Sequence, residues 1–436
     1  MHPLLRPLYA GTMALATTMA PLVATAVPRS RNKLLRTFRA RRGVVERWEH
    51  MAAERRDRTR PLAWIHAPSV GEGLQARPVA HALREAHPEF QLAYSWFSPS
   101  AETFSRSIGA EMGDYLPFDT ADAVDRLLTA LAPSVLVFAK LDIWPTLVER
   151  AAARGVPVVL TSGTVAPGSG RRGALARAAL HDAYRALGAV GAIDQANGER
   201  LVELGVRREV LQIMGDTRFD QVWTRAQGVD LEAGLLRALR SSRPTLVAGS
   251  TWPADEAVLL PAWERVRTTR SGVRLIIAPH EPTAAHNTPI IAWAAARGLT
   301  LSTLSAMEHH EATDTADVIL VDRMGVLGDL YALADVAFVG GGFHAAGLHS
   351  VIEPAAYGVP VLFGPGHDMS REAGLLLAAG GAETHATAES MATALLRWLQ
   401  RDAGQSAGVR ARALVEAERG ATARAVAIIE GVSAAR

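Results

Sequence analysis

The chain has 436 residues, 49% of them hydrophobic and 21% charged, which is enough for two domains of ordinary size with sizeable cores. Cysteine is absent, which excludes a disulfide framework, a thiolate metal site and a cysteine nucleophile. The formal net charge is only +2, so the placement of charge matters more than its sum, and no nucleic-acid partner is expected.

From Pro7 to Pro28 there is no charged residue, and Leu8, Met13, Leu15, Met19, Leu22, Val23 and Val27 stand among Ala and Thr. A run of about 20 apolar residues has the length that crosses a bilayer core. Thr12, Thr17, Thr18 and Pro21 weaken this one, so lying in the interface is the alternative to crossing. Behind it Arg29, Arg31, Lys33, Arg36, Arg39, Arg41 and Arg42 form a basic collar with no acid before Glu46. Such a collar stays in the cytoplasm and attracts anionic lipids of the inner membrane. The expectation is an N-terminal membrane-anchoring helix in residues 1–28. A cleaved signal peptide is the rival, disfavoured because the charge is stronger after the apolar run than before it.

Short apolar runs then alternate with helical stretches such as Leu74–Glu85 and Ala121–Leu131. Leu62–Ala67, Val135–Ala139, Val156–Leu160, Ala189–Ile193 and Val210–Met214 read as strands of a first series. Thr245–Ala248, Arg274–Ala278, Val318–Val321, Val336–Val339 and Val359–Phe363 read as a second. This alternation predicts parallel sheets covered on both faces, hence two doubly wound α/β domains, over residues 29–223 and 224–436. Ligands of such sheets sit beyond the carboxyl ends of the strands, so the residues that follow strands carry the information.

After the first strand comes His66-Ala67-Pro68-Ser69-Val70-Gly71-Glu72-Gly73, a tight turn into a helix. Gly71 and Gly73 offer backbone angles closed to other residues and close approach of a ligand. Glu72 is the candidate general base on an acceptor hydroxyl. Ser69-x-x-Glu72 also has the spacing of a capping box, and spacing alone favours the cap. In the second series, Gly340-Gly341-Gly342 and the block from Gly347 through Ser350 and Glu353 to Pro354 suit a phosphate and a ribose. Ser350-x-x-Glu353 is again a possible capping box, unless Pro354 opens the helix and makes Glu353 the cap itself. Ser250 and Thr251, His280, and Arg218 follow other strands as smaller anion-binding candidates, each equally readable as a turn or cap. No Asp-x-Asp pair and no zinc-type His pair occurs, so no metal is expected, and adjacent His309 and His310 read as solvated. The spaced-glycine dinucleotide fingerprint is missing, which disfavours an oxidoreductase.

In order and spacing these blocks resemble the 3-deoxy-D-manno-octulosonic acid (Kdo) transferases of lipopolysaccharide assembly. The matching pieces are His66 through Glu72, Ile143-Trp144-Pro145, Gly215 through Asp220, Ser250-Thr251, and Phe338 through Pro365. The resemblance implies a GT-B fold of two Rossmann-like domains facing a central cleft, with Glu72 as catalytic base of an inverting glycosyltransferase. It implies CMP-Kdo as donor substrate, held around Gly341, Gly342, Ser350 and Glu353, no further cofactor, and a lipid A precursor as acceptor. Against the family pattern, Lys140 and Asp142 stand around Leu141 where acids are common, and Ser350 replaces an Asn. Pro279-His280-Glu281 replaces Pro-Arg-His, and Ser162-Gly163-Thr164 replaces Asn-Ala-Arg. The alternatives are a GT-B transferase with another nucleotide sugar and a non-catalytic membrane-tethered binding protein.

Overall fold

A computed structural model describes residues 1–26, 32–232, 234–308 and 315–434. Arg29 and Arg31 of the collar, and His309 and His310, lie outside the described residues. The chain forms two compact units, Met1–Asp220 with Arg419–Arg436, and Gln221–Glu418.

The first unit holds seven strands: β1 (Leu62–His66), β2 (Gln91–Trp96), β3 (Met112–Tyr115), β4 (Val135–Ala139), β5 (Val158–Gly163), β6 (Ala189–Ala192) and β7 (Leu211–Ile213). They lie in the order β3-β2-β1-β4-β5-β6-β7, and every neighbouring pair is parallel. Every residue of β1, β2, β4, β5 and β6 is buried, because helices cover both faces of the sheet. The edge strand β7 is half open to solvent, with Ile213 exposed.

The last helix, Ala421–Ala434, returns to this unit and buries Ala421, Ala425, Val426, Ile428 and Ile429 in the first core. Asp220 ties down its start, accepting the N–H groups of Gly420 and Thr422 at 2.6 Å each. The second unit therefore ends at Glu418, where the sequence pattern had carried it to residue 436. The core that this helix joins was not legible in the sequence.

The second unit repeats the architecture with β8 (Thr245–Thr251), β9 (Arg274–Pro279), β10 (Leu301–Thr303), β11 (Val318–Leu320), β12 (Val336–Val339), β13 (Val361–Phe363) and β14 (Ala382–Thr384). The order is β10-β11-β9-β8-β12-β13-β14, again parallel throughout. Its core gathers Leu246, Trp263, Leu275, Ile277, Phe338, Leu362 and Leu395.

In each sheet the chain fills one side first and then restarts on the other, with β11 inserted between β9 and the edge strand β10 in the second. The reversal falls between β1 and β4 in the first unit and between β8 and β12 in the second. Crevices at such switch points are where doubly wound sheets take ligands.

At the N-terminus, Arg6–Ala26 is one helix, tied to the first unit by the Tyr9 hydroxyl on Asp119 (2.8 Å) and by Arg6 with Glu149 (3.0 Å). Leu8, Leu15, Met19 and Leu22 are exposed along it. Among the described residues no helix is long and apolar enough to cross a membrane. The threonines and Pro21 leave the run too weakly hydrophobic for a span, so of the two readings of the expected anchoring helix, crossing or lying in the interface, crossing is not supported.

Candidate active site

At the first switch point, β1 ends in His66, whose ring is fully buried and shares the Ser95 hydroxyl with the Trp64 indole N–H, both at 2.9 Å. Burial pushes its pKa down to about 3, with Arg41 adding repulsion, so His66 is a neutral structural residue. The helix Val70–Ala86 begins at Ser69, whose hydroxyl oxygen accepts the Gly71 N–H at 3.2 Å. The reciprocal half of a capping box does not form. Glu72 instead accepts the Ser69 hydroxyl proton on Oε2 and the Lys140 ammonium on Oε1, the latter at 3.2 Å. Burial opposes ionisation of this carboxyl, but the Ser69 hydroxyl and Lys140 outweigh it and hold Glu72 below the usual glutamate range. The cap and the base are thus compatible, with serine filling one role and the carboxylate left for the other.

Neither Gly71 nor Gly73 adopts a left-handed conformation, so the expected backbone freedom is not what these glycines supply. Gly73 is required by packing: a Cβ there would sit 2.4 Å from the Phe104 ring and 3.0 Å from the Tyr94 hydroxyl. Left-handed backbone occurs instead at Lys140 (φ 73°), directly after β4, and at Ser162 (φ 52°) in β5, where the register with β6 shifts. Strain at residues with side chains clusters at functional positions, and here Lys140 directly follows β4 while Ser162 lies one residue before the end of β5.

Arg218 sits in the first unit, and its guanidinium forks onto the buried Asp216, with Nη2 at 2.6 Å and Nε at 3.0 Å from Oδ2. Sequence reasoning offered it to a phosphate; the structure spends it on a carboxylate.

At the second switch point, Ser250 (φ 54°) forms an irregularity in β8 opposite β9. Thr251 is buried, and its hydroxyl donates to Glu256 at 2.9 Å, so the expected ligand contact from Thr251 is already committed. The three glycines after β12 do not leave empty space either. A Cβ would lie 2.2 Å from Ser250 O at Gly340, 2.1 Å from Gly347 O at Gly341, and 2.6 Å from Gly364 N at Gly342. Backbone of β8 and of the loops after β12 and β13 packs so closely on these glycines that no side chain fits there. The fully buried Asp255 holds the turn, accepting the N–H groups of Trp252 (2.9 Å), Gly341 (2.8 Å) and Phe343 (3.1 Å). Sequence reasoning missed Asp255, although Pro253 opening a helix with an acid two residues later is a start signal.

His280, selected from sequence, joins a stack that was not foreseen. The Trp252 ring lies 4.2 Å from His344 and 4.6 Å from His280, and His280 lies 4.5 Å from His349. The Trp252 indole N–H points at His349 Nε2 at 3.2 Å. Burial, then repulsion from His280 and His344, pushes the His349 pKa down to about 4.

The helix containing Glu353 is short, Ile352–Ala356, and Val351 is its N-cap. Pro354 is therefore its third residue, and Glu353 is neither the cap nor the third position of a box. Burial raises the Glu353 pKa, opposed by Arg225 and by the hydroxyl of the exposed Ser350, so Ser350 and Glu353 do come together. Arg225 in turn binds Asp329 at 2.7 Å. Among the described residues no group of acids and histidines could hold a metal ion.

Two parallel α/β units, each with polar and acidic residues at its switch point, define the class of two-Rossmann-domain proteins that includes sugar-nucleotide enzymes. The fold is similar to that of UDP-GlcNAc 2-epimerase from Neisseria meningitidis (TM-score 0.59, 10% identity, covering 86% of this chain and all of that one). It is also similar to that of a glycosyltransferase from Rickettsia africae (TM-score 0.56, 11% identity, 86% and 98% covered). Epimerases and transferases share this fold, so fold alone does not choose between them.

Sequence does. Residues 37–221 match the family model described as 3-deoxy-D-manno-octulosonic-acid transferase (kdotransferase). The 3-deoxy-D-manno-octulosonic acid transferase of Bordetella pertussis is 31% identical over 414 residues, 90% of this chain and 94% of that relative. That of Haemophilus influenzae is 26% identical over 306 residues, 69% and 70% of the two chains. The chain belongs to the 3-deoxy-D-manno-octulosonic acid transferase family, and it is a Kdo glycosyltransferase of lipopolysaccharide biosynthesis.

Proposed function

We propose that the chain moves Kdo from CMP-Kdo to a lipid A precursor by a single in-line displacement that inverts the anomeric carbon. The observation that carries this reading is an ionised carboxylate held between the Ser69 hydroxyl and the Lys140 ammonium at the first switch point, Glu72, in a chain of this family. Glu72 takes the proton of an acceptor sugar hydroxyl, and that oxygen bonds to the anomeric carbon of Kdo. The bond from that carbon to the CMP phosphate oxygen breaks, and CMP departs with the electron pair. Ser250, His280, Ser350 and Glu353 of the second unit are the residues assigned to the nucleotide. Of the glycine turn, the amides of Gly341 and Phe343 are bound to Asp255.

We also infer that the N-terminal segment meets the inner membrane by lying on its cytoplasmic surface. Exposed Leu8, Leu15, Met19 and Leu22 supply apolar contact, and Lys33, Arg36 and Arg42 supply attraction to anionic headgroups.

The test is transfer by purified protein from CMP-Kdo to a lipid A precursor, read by mass of the product. CMP is expected to inhibit and UDP is not. Absence of product with active donor, or inhibition by UDP alone, rejects the assignment.

A further inference from the structure

Glu72 has a charged partner delivered from the end of a different strand. Lys140 is the first residue after β4, across the switch point from β1, and 68 positions from Glu72 in sequence. Its backbone is left-handed (φ 73°), a conformation that costs a side-chain-bearing residue roughly 1–2 kcal/mol. Surrounding contacts impose it. The Lys140 N–H is bound to Thr161 O at 2.8 Å. The next carbonyl, Leu141 O, accepts Arg171 Nη1 at 2.6 Å and the Tyr184 hydroxyl at 3.1 Å. Arg171 also pairs with Asp142, and Asp119 accepts the N–H groups of Thr146 and Leu147 at 2.7 and 2.9 Å. A loop pinned on both sides thus delivers the ammonium to Glu72 Oε1, while Ser69 fixes Oε2. Two contacts on two oxygens set the plane of the carboxylate as well as its position.

We propose that Lys140 is the positioning residue for Glu72, orienting the carboxylate at the switch point and keeping it ionised for proton abstraction. The inference rests on the reading of Glu72 as base. The groups facing Glu72 are the Lys140 ammonium from the end of β4, the Ser69 hydroxyl from its own helix start, and the buried Tyr94 hydroxyl from β2. Tyr94 is neutral, its pKa raised by burial and by Glu72 itself, so Lys140 is the one cation of this set. Removing it leaves burial of the carboxyl opposed by the Ser69 hydroxyl and the Glu72 backbone N–H, with no cation.

The experiment compares full-length wild type, Lys140→Met, Lys140→Arg and Glu72→Gln, measuring kcat/KM for Kdo transfer from acidic to mildly alkaline pH on the same substrates. Ionisation of the substrates is then common to all four profiles. The acid limb of Lys140→Met is expected to move up by about one pH unit, a roughly tenfold loss on that limb. Lys140→Arg, which keeps the charge, is expected to retain the wild-type limb. An unmoved limb in Lys140→Met beside an inactive Glu72→Gln overturns the pairing and leaves the base reading standing. An active Glu72→Gln overturns both. Should Lys140→Met not fold, Lys140→Gln gives the same comparison with a hydrogen-bonding neutral side chain, and the same limb decides.

Discussion

A carboxylate caught between a hydroxyl and an ammonium is a fixed acceptor rather than a flexible one, and that determines what its loss does. Glu72→Gln keeps the shape and the Ser69 contact but removes the proton acceptor. It is expected to lower kcat about 10²–10⁴-fold while Tm stays near that of wild type. A fall in Tm that accounts for the lost activity would return Glu72 to a capping role. His349 gives a second prediction at this scale. Its pKa is lowered from the ordinary 6.5 to about 4, so the unfolded chain takes up a proton that the folded chain refuses. This contribution is intact above about pH 6.5 and is lost as pH falls toward about 4. His349→Gln is therefore expected to show a shallower decline of Tm than wild type across that window. Buried His66 acts in the same direction in both proteins and cancels from the comparison.

Among the elements, the turn after β12 depends on Asp255, which lies 86 positions before Gly341 in sequence. Asp255→Ala orphans three buried or half-buried N–H groups and is expected to cost roughly 3 kcal/mol, or about 6–12 °C in Tm, by calorimetry. Asp255→Asn, which keeps one acceptor oxygen, should cost less. Burial on both sheet faces decided which elements were legible in the sequence. Runs of Val, Ile, Leu and Phe announced β1, β4, β9 and β12, because a strand covered on both faces has little choice of residue. β2 was missed since Gln91-Leu92-Ala93-Tyr94-Ser95-Trp96 mixes polar with apolar residues, yet all six are buried. Its polar members are satisfied locally, Gln91 by Arg56 and the Asp57 N–H, Ser95 by Trp64 and His66. Composition cannot announce such pairings. β3, β10 and β14 are three or four residues long at or near the sheet edges, too short for a period to declare itself. The same limit hid residues at both switch points. Glu72 stood out through its glycine turn, but Lys140 and Asp255 act on residues far along the chain, and the Trp252 stack draws its rings from three separate loops.

For the molecule as a whole, the N-terminal helix predicts an electrostatic and apolar attachment to lipid. Vesicle flotation is expected to be stronger with anionic than with zwitterionic lipid and to weaken when Leu8, Leu15 and Leu22 are replaced by Ser; unchanged binding would move the attachment elsewhere. The returning helix Ala421–Ala434 has a different reach. A fragment ending at Asp220 leaves the pocket for Ala425 and Ile429 open, and is expected to be insoluble or molten until residues 419–436 are supplied in the same chain. In topological terms the second unit is a passenger inserted within the first. A ribosome that has finished the seventh strand must still make all of residues 221–418, roughly 10–40 s of synthesis, before the missing helix emerges. Throughout that interval a nascent parallel sheet lacks one wall. The part of the enzyme begun first is thus completed last, and chaperone demand should concentrate there.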